Sequence, residues 1–141
     1  MNLREIFDEL IRYESELTGA VDTRLREAHE LPLVEFDAMR IVEATVPCRV
    51  FDLSSQLVMT SGAVSKLVDR IVAAGYCRRK ANPYDARSTV LELTAAGRRM
   101  LAKAGKTFDA ELSTYLGDAA TARQLDLFGV TLQRLRAAYA G

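Results

Sequence analysis

The sequence predicts one domain that is mainly α-helical and carries a small β-hairpin. Apolar residues recur every three or four positions along most of the chain, which is the period of amphipathic helices. Only the stretch after Gly75 changes to an extended pattern with turn residues in its middle. With 141 residues, 49% of them apolar, the chain can bury one core but is too short for two enzyme-sized domains.

The formal net charge is zero, but the charges are segregated along the chain. Residues 1–47 carry 5 basic and 11 acidic side chains, residues 48–106 carry 11 and 4, and residues 107–141 carry 3 and 4. The middle segment therefore has a net charge of +7, which predicts an anionic partner. Of the 19 basic residues 15 are arginine, whose guanidinium suits bidentate contacts to phosphates and base edges.

Two helices are predicted before the basic segment. The first covers about residues 3–28, where apolar residues are spaced by three and four, and Pro32 follows it. The second covers about residues 33–45 and is ended by Pro47. Its inward-facing residues are predicted to be Phe36, Met39 and Val42.

Two further helices are predicted around a three-residue turn. A short helix over about residues 50–57 is followed by Val58-Met59-Thr60 and by a helix over about residues 61–74. The Thr60 side chain can cap the second helix, and Gly75 can take the left-handed conformation after its end. Two helices joined by so short a turn form the outline of a helix-turn-helix.

A β-hairpin and two final helices complete the chain. The strands are predicted over about residues 76–80 and 88–93, with a long turn-rich tip over residues 81–87. Thr94 is positioned to cap a helix that ends near Gly117, and Thr121 to cap the last one. The first of these is predicted to turn Leu101, Phe108, Leu112 and Tyr115 inward. The last carries the seam Leu125, Phe128, Leu132, Leu135 and Tyr139, whose spacing is typical of a packed helix pair.

The helix over residues 61–74 has one apolar face and one polar, mostly basic face. Small residues at its start allow a close approach to a groove, and its N-terminus favours phosphate. Lys66 and Arg70 could reach phosphates or base edges. An ordinary surface helix with a solvated polar face is the alternative. The apolar face consists of Val64, Leu67, Val68 and Ile71, and the opposite face of Gly62, Ser65, Lys66, Asp69 and Arg70.

The hairpin that follows is also basic. Its first strand holds Arg78, Arg79 and Lys80, and Arg87 lies at the far side of the tip. Asp85 is two residues before Arg87, close enough to orient the guanidinium through a charge-assisted pair. A fixed arginine at a projecting tip suits a narrow A·T-rich minor groove, whereas the alternative is a surface salt bridge of little consequence.

Four stretches together resemble the MarR family of bacterial winged helix-turn-helix regulators. The first runs from Leu53 to Arg70, and the second is Ala73-Ala74-Gly75-Tyr76. The third is the tip Asn82-Pro83-Tyr84-Asp85-Ala86-Arg87, and the fourth is the exit Leu93-Thr94-Ala95-Ala96-Gly97-Arg98. The resemblance covers essentially the whole chain. Two departures are Val58, where the family often has glycine, and Ser54, where alanine is common, so the angle between the two helices is expected to differ somewhat.

The resemblance implies a cytoplasmic homodimer that binds double-stranded DNA. Residues 1–30 and 107–141 would form the dimerisation helices, residues 33–94 the winged helix-turn-helix lobe, and residues 95–116 the linking helix of a single domain. The helix over residues 61–74 would enter the major groove and the wing tip the minor groove. The implied DNA contacts are Ser61, Gly62, Ala63, Ser65, Lys66 and Arg70 on the helix, and Asp85 and Arg87 on the wing.

Members of this family often release DNA when a small aromatic ligand binds in the crevice between the dimer helices and the lobe. Candidate ligand contacts are Tyr13, Leu17, Phe36, Met39 and Phe51, although residues of this kind at helical spacing are more often plain core.

Cysteine chemistry offers another form of regulation. Cys48 and Cys77 are candidates for a redox sensor, because Arg78 and Arg79 could favour the Cys77 thiolate, but two unreactive cysteines are the alternative. His29 is expected at the surface of a helix end.

The sequence lacks the motifs of an enzyme, a metal site or a membrane protein. No nucleophile elbow, phosphate-binding loop or Cys/His metal cluster occurs, so no catalytic residue, metal or cofactor is predicted. The start is not a signal peptide and the longest uncharged run has 13 residues, which predicts a cytoplasmic protein without a membrane span. The function predicted is a sequence-specific transcriptional regulator, a repressor at an inverted repeat. The alternatives are a winged-helix module that binds a protein partner and a redox-sensing regulator.

Overall fold

The computed structural model describes residues 1–140, and it confirms the predicted class of a mainly helical protein with one antiparallel hairpin. A π-helical turn over Ser113–Gly117 separates the last two α-helices. The α-helices are α1 Leu3–His29, α2 Leu33–Ala44, α3 Val50–Gln56, α4 Ser61–Ala73, α5 Ala95–Leu112 and α6 Ala122–Ala140, and the strands are β1 Cys77–Asn82 and β2 Asp85–Leu93.

Both ends of helix α1 are capped. The Asn2 side chain accepts a hydrogen bond from the Glu5 N–H (3.0 Å) and the Asn2 N–H donates to the Glu5 carboxylate (2.7 Å), which forms a capping box. At the other end Glu30 adopts the left-handed conformation and turns the chain into Leu31, which is buried. Most of the helix is exposed, and only Val21 and Leu25 are buried.

The core lies where α2, α3 and α4 meet the base of the hairpin and the start of α5. The three inward residues predicted for α2 are buried, together with Ala38. Helix α4 buries the four residues of its predicted apolar face. Phe36 stacks at a tilt on Phe108 of α5 with ring centroids 4.9 Å apart, which joins the lobe to the linking helix. None of the helices formed by residues 1–140 is both long enough and apolar enough to cross a membrane.

The turn between α3 and α4 forms without glycine. Thr60 caps α4 as predicted, since its hydroxyl accepts a hydrogen bond from the Ala63 N–H (3.2 Å), and Gly75 has a φ of 83° after the helix. Val58 is fully exposed, and Glu30 is the only non-glycine residue with positive φ among residues 1–140. A side chain at Val58 therefore causes no backbone strain here, and the Ser54 hydroxyl donates to the Val50 carbonyl within α3 (3.1 Å).

The hairpin tip is shorter than the predicted seven-residue loop. The strands continue to the pair Asn82–Asp85, so that only Pro83 and Tyr84 connect them. The register then shifts, because Ala81 pairs with Thr89 and the three intervening residues of β2 have no partner across the hairpin. A feature not predicted is a bridge on the other side of β2, where the Leu91 N–H donates to the Cys48 carbonyl (2.7 Å).

The start of α5 is fixed tightly to the end of α4. The Thr94 hydroxyl donates to the Gly75 carbonyl (2.6 Å) and accepts from the Gly97 N–H (3.0 Å), while the Thr94 N–H donates to the Tyr76 carbonyl (3.0 Å). A Cβ atom on Gly97 would lie 1.9 Å from that same carbonyl oxygen. Glycine is therefore required here by close backbone contact.

The C-terminal helices differ from the prediction in how much they bury. Leu101, Phe108 and Leu112 pack against the core as predicted, but Tyr115 lies in the π-helical turn and is exposed. Helix α6 contains no buried residue. Its apolar seam therefore has no complete partner within a single copy of the chain.

Candidate nucleic-acid interface

Helix α4 presents the predicted polar face to solvent. Val64, Leu67, Val68 and Ile71 are buried and anchor the helix on the lobe. The opposite side is free of apolar side chains. Ser61, Gly62, Ser65, Lys66, Asp69 and Arg70 are exposed on it, and Ala63 is half-buried.

The two basic residues of this face have different environments. Lys66 is exposed and takes part in no ion pair among residues 1–140. The Arg70 guanidinium lies 3.2 Å from a carboxylate oxygen of Glu35, whose side chain is only 14% exposed on α2. Lys66 is therefore available to an anion without any rearrangement, whereas Arg70 is held against the lobe.

The tip of the wing (residues 77–93) carries the predicted Asp85–Arg87 pair. One carboxylate oxygen of Asp85 accepts from both the backbone N–H and the Nε–H of Arg87, each at 3.1 Å. The Arg87 side chain is 92% exposed all the same. A guanidinium held at its Nε edge keeps its two outer nitrogens free for an acceptor, so the geometry suits a projecting contact.

The remaining cations of the wing are paired with acids. Arg78 and Lys80 both bind the Glu92 carboxylate, Lys80 at 3.0 Å, and these hydrogen bonds lower the pKa of Glu92. The Arg79 guanidinium lies 2.5 Å from the carboxylate of Asp69 on α4 and so connects the wing to that helix. Sequence reasoning missed these partners, although Glu92 lies directly opposite Arg78 in the strand register.

The five residues suggested for a ligand crevice do not share a cavity in this chain. Phe36 and Met39 are completely buried in the core, and Phe51 is exposed, with the Arg49 guanidinium 5.7 Å from its ring. Leu17 packs against the core, and Tyr13 donates a hydrogen bond to the Tyr115 carbonyl (2.6 Å). The helices of the single chain therefore place these five side chains on different surfaces, and a crevice at the dimer stays a prediction.

Two open hollows flank α1 instead. The α1–α2 hollow has a volume of about 640 Å³, is lined by parts of α1, α2 and the turn at residues 57–59, and includes Glu14, Asp22 and Asp37. The α1–α6 hollow has a volume of about 680 Å³ and is mostly apolar. Tyr13 is the only one of the five suggested ligand residues that lines either hollow.

Both cysteines are buried, and neither forms a disulfide. Burial, with smaller effects of Asp52 and Cys77, raises the pKa of Cys48 to about 11. Burial also raises the pKa of Cys77, and the neighbouring Arg78 and Arg79 reduce this effect without cancelling it. The two arginines thus act in the expected direction, but desolvation outweighs them and the pKa of Cys77 is raised overall.

The single histidine and the acidic residues form no metal site. His29 is half-buried, and its Nε2 lies 2.7 Å from the Thr107 hydroxyl, which links α1 to α5. It is thus not the plain surface residue predicted. Within residues 1–140 no group of three or more His, Cys, Asp or Glu side chains is arranged to hold a metal ion.

Comparison with known proteins agrees with this architecture. The MarR family model matches residues 31–89. An uncharacterized HTH-type transcriptional regulator, YkoM of Bacillus subtilis (strain 168), is 27% identical over 103 residues, and the match covers 73% of this chain and 64% of that protein.

Two solved structures extend the likeness to the terminal helices. The MarR family regulator Sco3205 of Streptomyces coelicolor, in complex with DNA, is 18% identical and has a TM-score of 0.87, with 99% of this chain and 93% of that chain covered. CouR of Rhodococcus jostii RHA1, bound to p-coumaroyl-CoA, is 20% identical and has a TM-score of 0.83, with 92% and 90% covered. The structures extend the agreement in fold over nearly the whole chain, and the segment from α2 into the wing is the part that matches the MarR family model.

Proposed function

We propose that this protein is a transcriptional regulator that binds a specific double-stranded DNA site as a homodimer and represses transcription from it. The observation that carries this proposal is the joint placement of two exposed features on one lobe. These are the small, polar face of α4, with Lys66 unpaired, and the wing tip, where Asp85 orients an exposed Arg87.

Each feature fits a different groove. An α-helix with small residues in its first turn fits the major groove, where the edges of the four base pairs are distinguishable. Ser61, Gly62, Ala63 and Ser65 would approach base edges and the backbone, and Lys66 and Arg70 would reach phosphates or bases. Arg87 would enter the adjacent minor groove, where A·T-rich stretches are narrow and most negative.

An apolar surface that stays exposed on the single chain supports the proposed homodimer. Residues of α1 and α6 surround the α1–α6 hollow, and none of the residues of α6 is buried. Leu10, Phe128 and Leu135 are large, apolar and exposed there. Large apolar side chains grouped on one exposed surface mark an interaction site, and pairing with the same surface of a second copy would bury them.

The symmetry of such a dimer determines the form of the DNA site. Two lobes related by a two-fold axis meet the same groove face twice, so the site would be an inverted repeat with half-sites about one helical turn, roughly 34 Å, apart. Regulation by a small aromatic ligand is supported by the fold likeness to CouR, whose structure contains p-coumaroyl-CoA. The hollows beside α1 are the surfaces where such a ligand could act.

The test begins with selection of a duplex from a random pool by the purified protein, followed by measurement of affinity against salt. Lys66→Ala should reduce the slope of log K against log[salt] by about 0.9 for each phosphate that the lysine neutralises in the wild type. Arg87→Ala should weaken binding and relax the preference for A·T pairs at the outer positions. Lys103→Ala, which removes an exposed cation of α5, is the matched control and should bind as the wild type.

A flat salt dependence and no selected sequence would contradict the proposal and favour a protein partner for this surface. The dimer is tested separately by sedimentation. Leu135→Asp should give a monomer, whereas Arg134→Asp, on the other side of α6, should remain a dimer. Repression is tested by a reporter gene placed behind the selected duplex, whose expression should fall when the protein is supplied.

A further inference from the structure

The apex of the wing carries a large aromatic side chain that has no role in the fold. Tyr84 follows Pro83 in the two-residue connection between the strands, and it is 83% exposed. Its hydroxyl makes no hydrogen bond to another group among residues 1–140. The other large exposed apolar residues lie mainly on α1 and α6, where the proposed dimer would cover them.

The backbone that holds Tyr84 is well ordered by hydrogen bonds. The buried Asn82 side chain accepts from the Tyr84 N–H (3.0 Å) and donates to the Ser88 hydroxyl (2.9 Å), and this hydroxyl donates to the Asp85 carbonyl (3.2 Å). These hydrogen bonds join the residues on the two sides of the Pro83–Tyr84 connection. The backbone of the tip therefore loses little conformational freedom when the wing meets a partner.

We propose that Tyr84 is a second DNA contact of the wing, and that its ring packs on the deoxyribose walls of the minor groove that Arg87 enters. This rests on the proposed function. Arg87 lies three residues from Tyr84 on the same tip, so a wing that brings the guanidinium to the groove also brings the ring there. The ring offers an apolar surface for sugar C–H groups, and proteins that bind minor grooves frequently place apolar side chains in them.

A contact of this kind differs measurably from those of the cations. An uncharged ring releases no counterions, so its removal lowers affinity at every salt concentration and leaves the salt slope unchanged. The sugars that it covers become accessible from the minor groove when it is removed. Hydroxyl-radical cleavage reports this accessibility at single-nucleotide resolution.

The experiment compares Tyr84→Ala and Tyr84→Phe with the wild type on the duplex that the wild type selects. Tyr84→Ala should lower affinity about tenfold, with an unchanged salt slope and an unchanged thermal midpoint. It should also restore cleavage of the outermost sugars of each half-site. Tyr84→Phe, which keeps the ring, should bind within about twofold of the wild type. Thr89→Ala, an exposed change in the wing stem, should also bind normally.

Several results would overturn the assignment. Wild-type affinity of Tyr84→Ala would show that the ring contacts nothing, and an equally weakened Tyr84→Phe would assign the contact to the hydroxyl instead. A changed salt slope, or an equally weakened Thr89→Ala, would likewise refute a contact made by the ring at the tip. These failures are distinct from failure of the proposed function, in which the wild type itself would select no duplex.

Discussion

Asp69→Asn tests whether the ion pairs on the lobe limit the proposed binding to DNA. The Asp69 carboxylate lies 2.5 Å from the guanidinium of Arg79, and both side chains are partly exposed, at 68% and 40%. Removing the carboxylate charge releases Arg79, which is next to the polar face of α4. A DNA phosphate can then take the place of the carboxylate.

The size of the effect follows from the number of arginines released. Each additional phosphate contact steepens the slope of log K against log[salt] by about 0.9. A dimer releases one Arg79 in each lobe, so the slope should steepen by about 1.8. Between about 50 and 200 mM salt, the affinity of the variant should therefore fall about twelvefold further than that of the wild type. Affinity for random duplex at low salt should rise accordingly.

Fluorescence anisotropy with a labelled random duplex measures this slope directly. Asp118→Asn is the matched control, because it removes the same charge from an exposed site that has no ion pair within residues 1–140. It should leave the slope unchanged. If Asp69→Asn has the same slope as Asp118→Asn, then Arg79 does not reach phosphate, and the pair serves only to join the wing to α4.

Three further predictions concern stability and the thiols. Gly97→Ala should destabilise the fold by about 3 kcal/mol in urea unfolding, because its Cβ would lie 1.9 Å from the Tyr76 carbonyl oxygen. Gly105→Ala is the control and should be neutral or stabilising, since its Cβ would have nothing within 4 Å. Equal effects of the two substitutions would refute the close contact at Gly97. Hydrogen bonds from Lys80 and Arg78 lower the pKa of Glu92 in the folded protein. The ionised carboxylate should therefore stabilise the fold fully above its unfolded-state pKa of about 4.3, and this stabilisation should be lost as the pH falls through the lower pKa of the folded state. In Glu92→Gln the urea midpoint should vary less between about pH 5 and pH 3 than it does in the wild type, and an equal variation would contradict the pairing. Since burial raises the pKa of Cys77, peroxide should not change DNA affinity; a response that Cys77→Ser abolishes would contradict this.

The helices and their ends could be predicted because their causes are local. The cap at Thr60, the left-handed residue at Gly75 and the buried stripe of α4 each depend on neighbours within one or two turns. The hairpin tip could not be predicted so well. A buried Asn82 side chain replaces backbone hydrogen bonds there, and turn-forming residues over a seven-residue stretch do not show which two of them make the turn.

The ion pairs and the pockets depend on contacts between distant segments. Asp69 reaches Arg79 because β1 turns back along α4, and Glu35 reaches Arg70 across 35 positions of sequence. The crevice residues were chosen by residue type and helical spacing, which do not distinguish the core position of Phe36 from the exposed position of Phe51. The packing angles of the helices decide this, and they are not encoded in any one segment.

These ion pairs bear on how a protein without net charge could carry out the proposed discrimination between DNA sequences. An unpaired cation gains from any phosphate, so the segment of residues 48–106, with its net charge of +7, would bind all duplexes strongly if its cations had no internal pairs. Here Arg70, Arg79 and Arg87 each have a carboxylate in the free protein, and a new partner must replace or supplement that contact. A duplex whose groove shape and base edges match the lobe can do so, whereas a random duplex offers phosphates alone. On the proposed function the acidic residues should lower non-specific affinity more than specific affinity, so Asp69→Asn should reduce the ratio of specific to non-specific affinity while it strengthens binding to DNA in general.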